Sequence, residues 1–299
     1  ITKDIDHSKQ DLKVVWDTGN GAAGNIITKI LKLLPGKHFL LNSKIDGTFP
    51  NHHPDPTDEN NLKQLRDKVL KVNADIGIAF DGDGDRIGIV DNAGHFISGD
   101  KLLYIFASEV IKDNPGSTII SDVKASNIVF QEIKKLGGSP LMWKTGHSFI
   151  KEKMRQTNAI LAGEMSGHIF FADKYYGYDD ALYAAIRLLK IVSKNKIINK
   201  LLKPFSKLIS TPEIKVFCED KIKFDIMKKL QSQVLKKYSD VDTIDGLRVN
   251  NKKGWWLIRA SNTQPALIVR CEADSKSYLN KLILEVKNLL DIYNIKNNL

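Results

Sequence analysis

The sequence predicts an α/β protein in three parts: two three-layer α/β/α mixed-sheet domains, followed by an α+β domain with an antiparallel sheet. Three observations support this. Through the first two thirds of the chain, short apolar runs of strand length alternate with amphipathic stretches of helix length. The 299 residues are too many for one ordinary hydrophobic core. After Pro204 the order changes to several strands and a closing helix, the pattern of an antiparallel sheet with helices on one face.

In order, the first part reads as strand 12–16, a glycine turn, helix 22–34, strand 39–41, helix 59–72 and strand 75–80. The second reads as helix 101–111, strand 118–121, helix 126–136, strand 140–143, helix 148–155, strand 159–162 and helix 179–192. The third begins at a linker, 207–212, then strand 213–218, helix 221–237, short strands around 243–250, 255–259 and 266–271, and helix 275–292. The domains expected are therefore 1–95, 96–206 and 207–299. The chain opens on Ile1 and a polar stretch, 4–10, and so reads as part of a longer polypeptide.

A hydrophobic content of 42% and a charged content of 27% fit a soluble globular protein, and no apolar run of 18 residues is present to cross a membrane. The formal net charge of +10 raises nucleic acid as a partner. The lysines are scattered, with a modest cluster from Lys190 to Lys207 and no aromatic stacking pattern beside it, so an anionic small substrate accounts for the charge as well. Cys218 and Cys271 could pair but give no disulfide framework, which makes a reducing cytoplasm the default.

The strongest chemical signal is Asp81-Gly82-Asp83-Gly84-Asp85-Arg86, directly after a strand of buried type. Carboxylates at i, i+2 and i+4 share a face of an extended segment, and the glycines let the backbone tighten around one ion. Three close carboxylates repel unless a cation compensates, and oxygen ligands suit magnesium. A solvated acidic turn explains one Asp-Gly pair but not three in phase. A helix-loop-helix calcium site would need a glutamate at position 12, where Asn92 stands.

Three other loops carry polar groups. Gly19, Gly21 and Gly24 have a dinucleotide-loop spacing, but the acidic ribose partner is misplaced, since Asp46 sits in a turn; a tight turn packing helix on sheet is the better reading. Glu164, Ser166 and His168 follow a strand on a short loop, as His147 does, and suit hydrogen bonding to a polyol. Zinc on His147, His168 and Glu164 is disfavoured because no short-spaced histidine pair exists. The turn Arg259-Ala260-Ser261-Asn262-Thr263-Gln264-Pro265, with Arg270 on the next strand, offers guanidinium, hydroxyl and amide donors for a phosphate.

Taken together, Asp81 to Arg86, Gly163-Glu-Met-Ser-Gly-His168 and Arg259-Ala-Ser-Asn-Thr263 closely resemble the α-D-phosphohexomutases, and among them the bacterial phosphomannomutase/phosphoglucomutase enzymes. Asp46 to Pro56, Lys144 to His147 and Ser210 to Glu213 support the match, which runs along nearly the whole chain. The resemblance implies a four-domain, heart-shaped enzyme that interconverts hexose 1-phosphate and hexose 6-phosphate through a hexose 1,6-bisphosphate, with three of those domains here. It implies Asp81, Asp83 and Asp85 as magnesium ligands and Arg86 beside the catalytic centre. Glu164 and Ser166 would meet sugar hydroxyls, and Lys124, His147 and His168 would contact substrate and assist proton transfer. Arg259, Ser261, Asn262, Thr263 and Arg270 would hold the non-transferring phosphate.

One departure matters. The family's phosphorylated serine lies in a Thr-Ala-Ser-His-Asn-Pro loop, and no such run occurs in these 299 residues. Phosphoryl transfer needs a donor and acceptor in line, so the chain alone is expected to be inactive unless a separate N-terminal serine domain supplies the carrier. The alternatives are a non-catalytic phosphosugar-binding protein, one chain of a split mutase, or phosphoglucosamine mutase activity.

Overall fold

A computed structural model describes residues 12–195, 198–297 and 299. The polar stretch 4–10 lies outside them.

The chain begins with β1 (Lys13–Asp17), α1 (Ala23–Ile30), β2 (Lys37–Leu41), α2 (Lys63–Val72), β3 (Ile76–Phe80), β4 (Ile87–Asp91) and β5 (Phe96–Ile97). They form a mixed sheet in the order β2-β1-β3-β4-β5, with the first three strands parallel and the last two antiparallel. Leu62, Leu65 and Val69 pack α2 onto Val15, Ala79 and Val90 of this sheet. Helix α2 ends at Asn73, whose left-handed φ of 50° lets a non-glycine residue close the helix.

Next come α3 (Gly99–Asp113), β6 (Thr118–Asp122), α4 (Asn127–Lys135), β7 (Ser139–Trp143), α5 (His147–Thr157), β8 (Leu161–Gly163), β9 (Ile169–Phe171) and α6 (Ala181–Asn195). Their sheet runs β7-β6-β8-β9, parallel except for β9. Ser126 starts α4 by accepting from Ile128 N-H at 3.2 Å. Helix α3 buries Leu102 through Ala107 in an unbroken run. That run follows from its neighbours, since α3 touches β4 of the first sheet, β6 and β8 of the second, and α4 and α6, while Lys112 and Asp113 at its end remain exposed.

The last elements are β10 (Ile209–Ser210), β11 (Ile214–Phe217), α7 (Asp220–Lys237), β12 (Val241–Asp242), β13 (Leu247–Asn251), β14 (Gly254–Ala260), β15 (Ala266–Ala273) and α8 (Lys276–Asp291). They build an antiparallel sheet, β15-β14-β13-β12, whose outer edge at β15 is shared by β10 and β11. Alternation along the strands sends Val249, Trp256, Ile258, Leu267, Val269 and Cys271 to one face, where Leu230 and Val234 of α7 and Leu282 and Val286 of α8 cover them. Cys218 and Cys271 are free and buried, and burial pushes the Cys271 thiol up to about 12.

The chain divides into two compact units, Ile1–Pro204 and Phe205–Leu299. Among the described residues no helix is long and apolar enough to cross a membrane. The fold class is the one the pattern predicts, but several details differ. Strands β4 and β9 are additional, each the antiparallel return of a hairpin, and β9, at three residues, is too short to show a period. The expected linker at 207–212 is largely structured: Ile209 and Ser210 pair with Ala273 and Glu272, and Thr211 Oγ1 accepts from Cys271 N-H at 3.0 Å.

Because Leu230 is fully buried at the centre of the α7 contact, Leu230→Ala should cost about 2–5 kcal/mol. Urea unfolding followed by Trp255 and Trp256 fluorescence checks this; a midpoint equal to wild type would show that α7 is not part of the folding core.

Candidate functional site

The aspartate run forms the loop that joins β3 to β4. Phe80 pairs with Ile87, and the six residues between them must turn within one hairpin. Asp81 makes the turn possible: its Oδ1 accepts from the N-H groups of Gly84 (3.0 Å), Asp85 (3.0 Å) and Arg86 (3.1 Å), and its Oδ2 accepts from Arg86 Nε at 2.7 Å. Gly84 adopts φ +83°, which a side chain would resist. The result brings one oxygen each of Asp81, Asp83 and Asp85 within 4.8 Å of one another. Partial desolvation of its carboxyl, and then the charge of Asp81, raise the pKa of Asp83, the behaviour of a carboxylate crowded by another.

An all-oxygen set at this spacing fits a hard divalent cation. Asp81 Oδ1 accepts from three loop amides whereas Oδ2 accepts only from Arg86 Nε, so Oδ2 is the oxygen that keeps acceptor capacity for an ion.

The glycine turn 19–24 backs this loop. Ala22 N-H donates to Gly82 O at 2.9 Å, and a Cβ on Gly21 would lie 2.6 Å from the same oxygen. The turn is thus a close-packed one, but what it packs against is the acidic loop, where the sequence suggests helix on sheet. Asp55 adds a second carboxylate to Arg86, 3.5 Å from its Nη1.

The loop from Glu164 to His168 joins β8 to β9 and is tied to the first by backbone. Ile87 N-H donates to Gly167 O at 3.1 Å, and Arg86 and His168 form an isolated β-bridge. Glu164 is buried; its Oε1 accepts from Gly146 N-H at 2.5 Å, while its Oε2 has no hydrogen-bond partner among the described residues. Burial and the nearby charge of Asp122 lift its pKa to about 7, against the pull of His168, the Gly146 amide and Lys124. Lys124 is itself buried just beyond β6, with Nζ 3.6 Å from Asp122 Oδ2. Ser166 is half-buried on the same loop.

His147 opens α5 instead of preceding it, half exposed, and its ring stacks on His168 at 5.6 Å. Lys124, His147 and Glu164 thus gather beyond the C-terminal ends of β6, β7 and β8, where parallel sheets open a crevice for ligands.

Sequence reasoning missed the carboxylate that joins the two histidine rings. Asp179 Oδ2 lies 3.2 Å from His168 Nδ1 and 3.3 Å from His147 Nδ1, and Lys151 Nζ donates to its Oδ1 at 2.9 Å. Burial opposes its ionisation, but His168 and Lys151 hold its pKa well below the usual carboxylate range. Burial likewise works to lower the His168 pKa, and Asp179, Glu164 and Asp85 outweigh it and raise it. Asp85, His168 and Asp179 also form a potential ligand set of their own, sharing Asp85 with the aspartate run. The available signal was Asp179-Asp180 before an apolar helix. Asp180 caps α6 by accepting from Tyr183 N-H at 2.9 Å, so the cap does not use the Asp179 carboxylate.

In the second unit, Ser261–Pro265 is the hairpin loop between β14 and β15, closed by Ser261 N-H to Ala266 O at 2.9 Å. Arg259 is buried, its Nε donates to Asp245 Oδ2 at 2.9 Å, and its Nη2 has no hydrogen-bond partner among the described residues. Asn262 and Thr263 are exposed. Ser261 departs from expectation: its Oγ accepts from the N-H groups of Thr263 (3.4 Å) and Gln264 (3.2 Å), leaving its hydroxyl proton as what it can offer a ligand. Arg270 shares the sheet face turned away from the helices with Arg259 and with an arginine that sequence reasoning passed over, Arg248, stacked 3.7 Å from the Trp255 ring. The alternation Leu247-Arg248-Val249 was the signal for it.

Comparison with known proteins agrees along the chain. Residues 2–94 match the family model described as phosphoglucomutase/phosphomannomutase, alpha/beta/alpha domain II, 98–211 match domain III, and 213–289 match the C-terminal domain. A phosphomannomutase/phosphoglucomutase of Pseudomonas aeruginosa is 46% identical over 97% of this chain and 63% of its own length. A phosphoglucomutase of Neisseria meningitidis is 41% identical over 95% of this chain and 62% of its own. The crystal structure of a phosphoglucomutase/phosphomannomutase family protein from Burkholderia thailandensis superposes with a TM-score of 0.90 at 42% identity, covering 99% of this chain and 64% of that one. The chain therefore spans less than two thirds of the length of these relatives, and it belongs to the phosphoglucomutase/phosphomannomutase family, carrying that family's domains II, III and C-terminal.

Proposed function

We propose that this chain supplies the metal, sugar and phosphate sites of a phosphohexomutase that interconverts hexose 1-phosphate and hexose 6-phosphate. The observation that carries the reading is the convergence of Asp81, Asp83 and Asp85 on one point, in a loop hydrogen-bonded to the loop of Glu164 and His168. A cation-binding loop and a polar loop with an unspent buried carboxylate oxygen are what a phosphorylated polyol requires.

Asp81, Asp83 and Asp85 would hold Mg2+, which neutralises charge on a transferring phosphoryl group when bound. Arg86, fixed by Asp81 and Asp55, adds guanidinium donors at the same place. Glu164 accepts from sugar hydroxyls through Oε2, with Ser166 beside it. His168 and His147, oriented by Asp179, and Lys124 contact the substrate and move the hydroxyl proton. Arg259, Ser261, Asn262, Thr263 and Arg270 hold the phosphate that is not transferred, with a hexose 1,6-bisphosphate as the intermediate that must bind both ways round.

The phosphoryl-carrying serine is not among these 299 residues, so the chain binds phosphosugars and turns them over when a serine domain of the family is present. A coupled assay for glucose 6-phosphate, run on the chain with Mg2+ and glucose 1,6-bisphosphate, with and without a phosphorylated first domain in trans, tests both halves. Turnover by the chain alone would require another phosphoryl carrier.

Two further outcomes are expected. Arg259→Ala removes a buried guanidinium and should weaken glucose 1-phosphate binding by about 1.5–3 kcal/mol in calorimetry; an unchanged affinity would remove Arg259 from the phosphate site. Glu164 has a pKa raised to about 7 from an ordinary value of 4.5, so its contribution favours folding below pH 4.5 and is lost as pH rises through about 7. Between those limits the wild type should lose roughly 1–3 kcal/mol more stability than Glu164→Gln. Parallel pH profiles for the two proteins would mean that the buried carboxyl is neutralised by a partner.

A further inference from the structure

Lys223 is a buried lysine in the first turn of α7, a place that disfavours it twice. Burying an ammonium costs several kcal/mol unless it is fully paired, and the N-terminal end of a helix carries positive potential. A methionine would fill the same space without either cost. What the ammonium does is specific. Its three donors go to Asp220 Oδ1 (2.5 Å), Ser261 O (2.7 Å) and Gln264 O (3.1 Å). The last two are main-chain oxygens at the start and end of the Ser261–Pro265 turn.

In a trans peptide the C=O and the following N-H point in opposite directions. Holding Ser261 O against Lys223 therefore turns Asn262 N-H away from the protein body. That N-H makes no hydrogen bond among the described residues, whereas Thr263 N-H and Gln264 N-H turn back to Ser261 Oγ. Gln264 precedes Pro265, which has no N-H, so the grip on Gln264 O fixes the exit of the turn where a main-chain donor is lacking. Pro265 O is held in its turn by Cys218 N-H at 3.0 Å, two residues before α7.

We infer that Lys223 is a positioning residue for the phosphate site: its ammonium anchors the 261–264 turn by its carbonyls and so presents Asn262 N-H, together with the side chains of Asn262 and Thr263, to a phosphate. The inference rests on the reading of this turn as a phosphate-binding loop. It adds a residue of α7, outside the turn itself, that acts through the turn's carbonyls.

The test uses the full chain with Lys223→Met, with Lys221→Met at an exposed neighbouring position as control and Arg259→Ala as a direct-contact comparator. Calorimetry with glucose 1-phosphate and with inorganic phosphate is read beside amide exchange at 261–264, β14, β15 and α7. Lys223→Met should weaken both ligands about tenfold or more. It should also speed exchange at Thr263 and Gln264, whose N-H groups bond Ser261 Oγ, while β14, β15 and α7 keep wild-type protection. Arg259→Ala should weaken binding without that exchange signature. Wild-type affinity in Lys223→Met overturns the inference, and so does a loss of protection spread over the whole unit, which would make Lys223 merely structural. If the wild-type chain binds neither ligand, the phosphate-loop reading falls. The exchange data then decide Lys223 alone, and unchanged exchange at 261–264 removes its role.

Discussion

The first unit depends on one short stretch of backbone, where Ile87 N-H meets Gly167 O and Arg86 pairs with His168. Without it the acidic loop of one sheet and the polar loop of the other would be independent hairpins. With it, the residue that follows the last metal-type carboxylate is held to the residue that ends the sugar-type loop. Side-chain contacts then follow: His168 comes within 3.7 Å of Asp85 and 3.2 Å of Asp179, and Glu164 is driven inward toward Asp122 and Lys124. A backbone hydrogen bond asks for no particular side-chain chemistry, only for room at the point of contact, which makes it an economical way to register two sheets.

Charge in this region is organised by sharing. Asp81 serves three amides and a guanidinium, Asp179 serves two imidazoles and an ammonium, and Lys223 in the other unit serves two carbonyls and a carboxylate. In each case one buried charge satisfies several partners whose own geometry matters. Such groups are costly to bury singly and become economical when each fixes a loop. The residues that would touch substrate are mixed: Lys124, Glu164, Arg259, Ser261 and Arg270 are buried, whereas Ser166 is half-buried and Asn262 and Thr263 are exposed.

Much of this was legible in the sequence, for identifiable reasons. The aspartate run, the Glu164 to His168 loop and the Arg259 to Thr263 turn are contiguous, so their chemistry could be read in one place. The long helices and parallel strands carry strong periods, and their class followed. What stayed hidden is what depends on distance along the chain. Asp179 meets His147 across 32 positions, and Lys223 meets Ser261 across 38. Arg248 joins Arg270 only through a shared strand row. β9, three residues long, has no period to show. The paired segment 209–211 was taken for a linker because two residues of strand beside a proline look like coil.

The close approaches at two glycines have a consequence for heredity. A Cβ on Gly167 would sit 2.5 Å from Ile87 O, and one on Gly99 would sit 2.2 Å from Glu164 O, backbone that cannot step aside without moving the loops themselves. Neither glycine offers a side chain to any ligand. A missense change to alanine at Gly167 would nevertheless push its loop off the Ile87 backbone, and one at Gly99 would push the Glu164 loop off the start of α3, so loss-of-function alleles of this gene should arise at positions that a map of ligand contacts would score as silent.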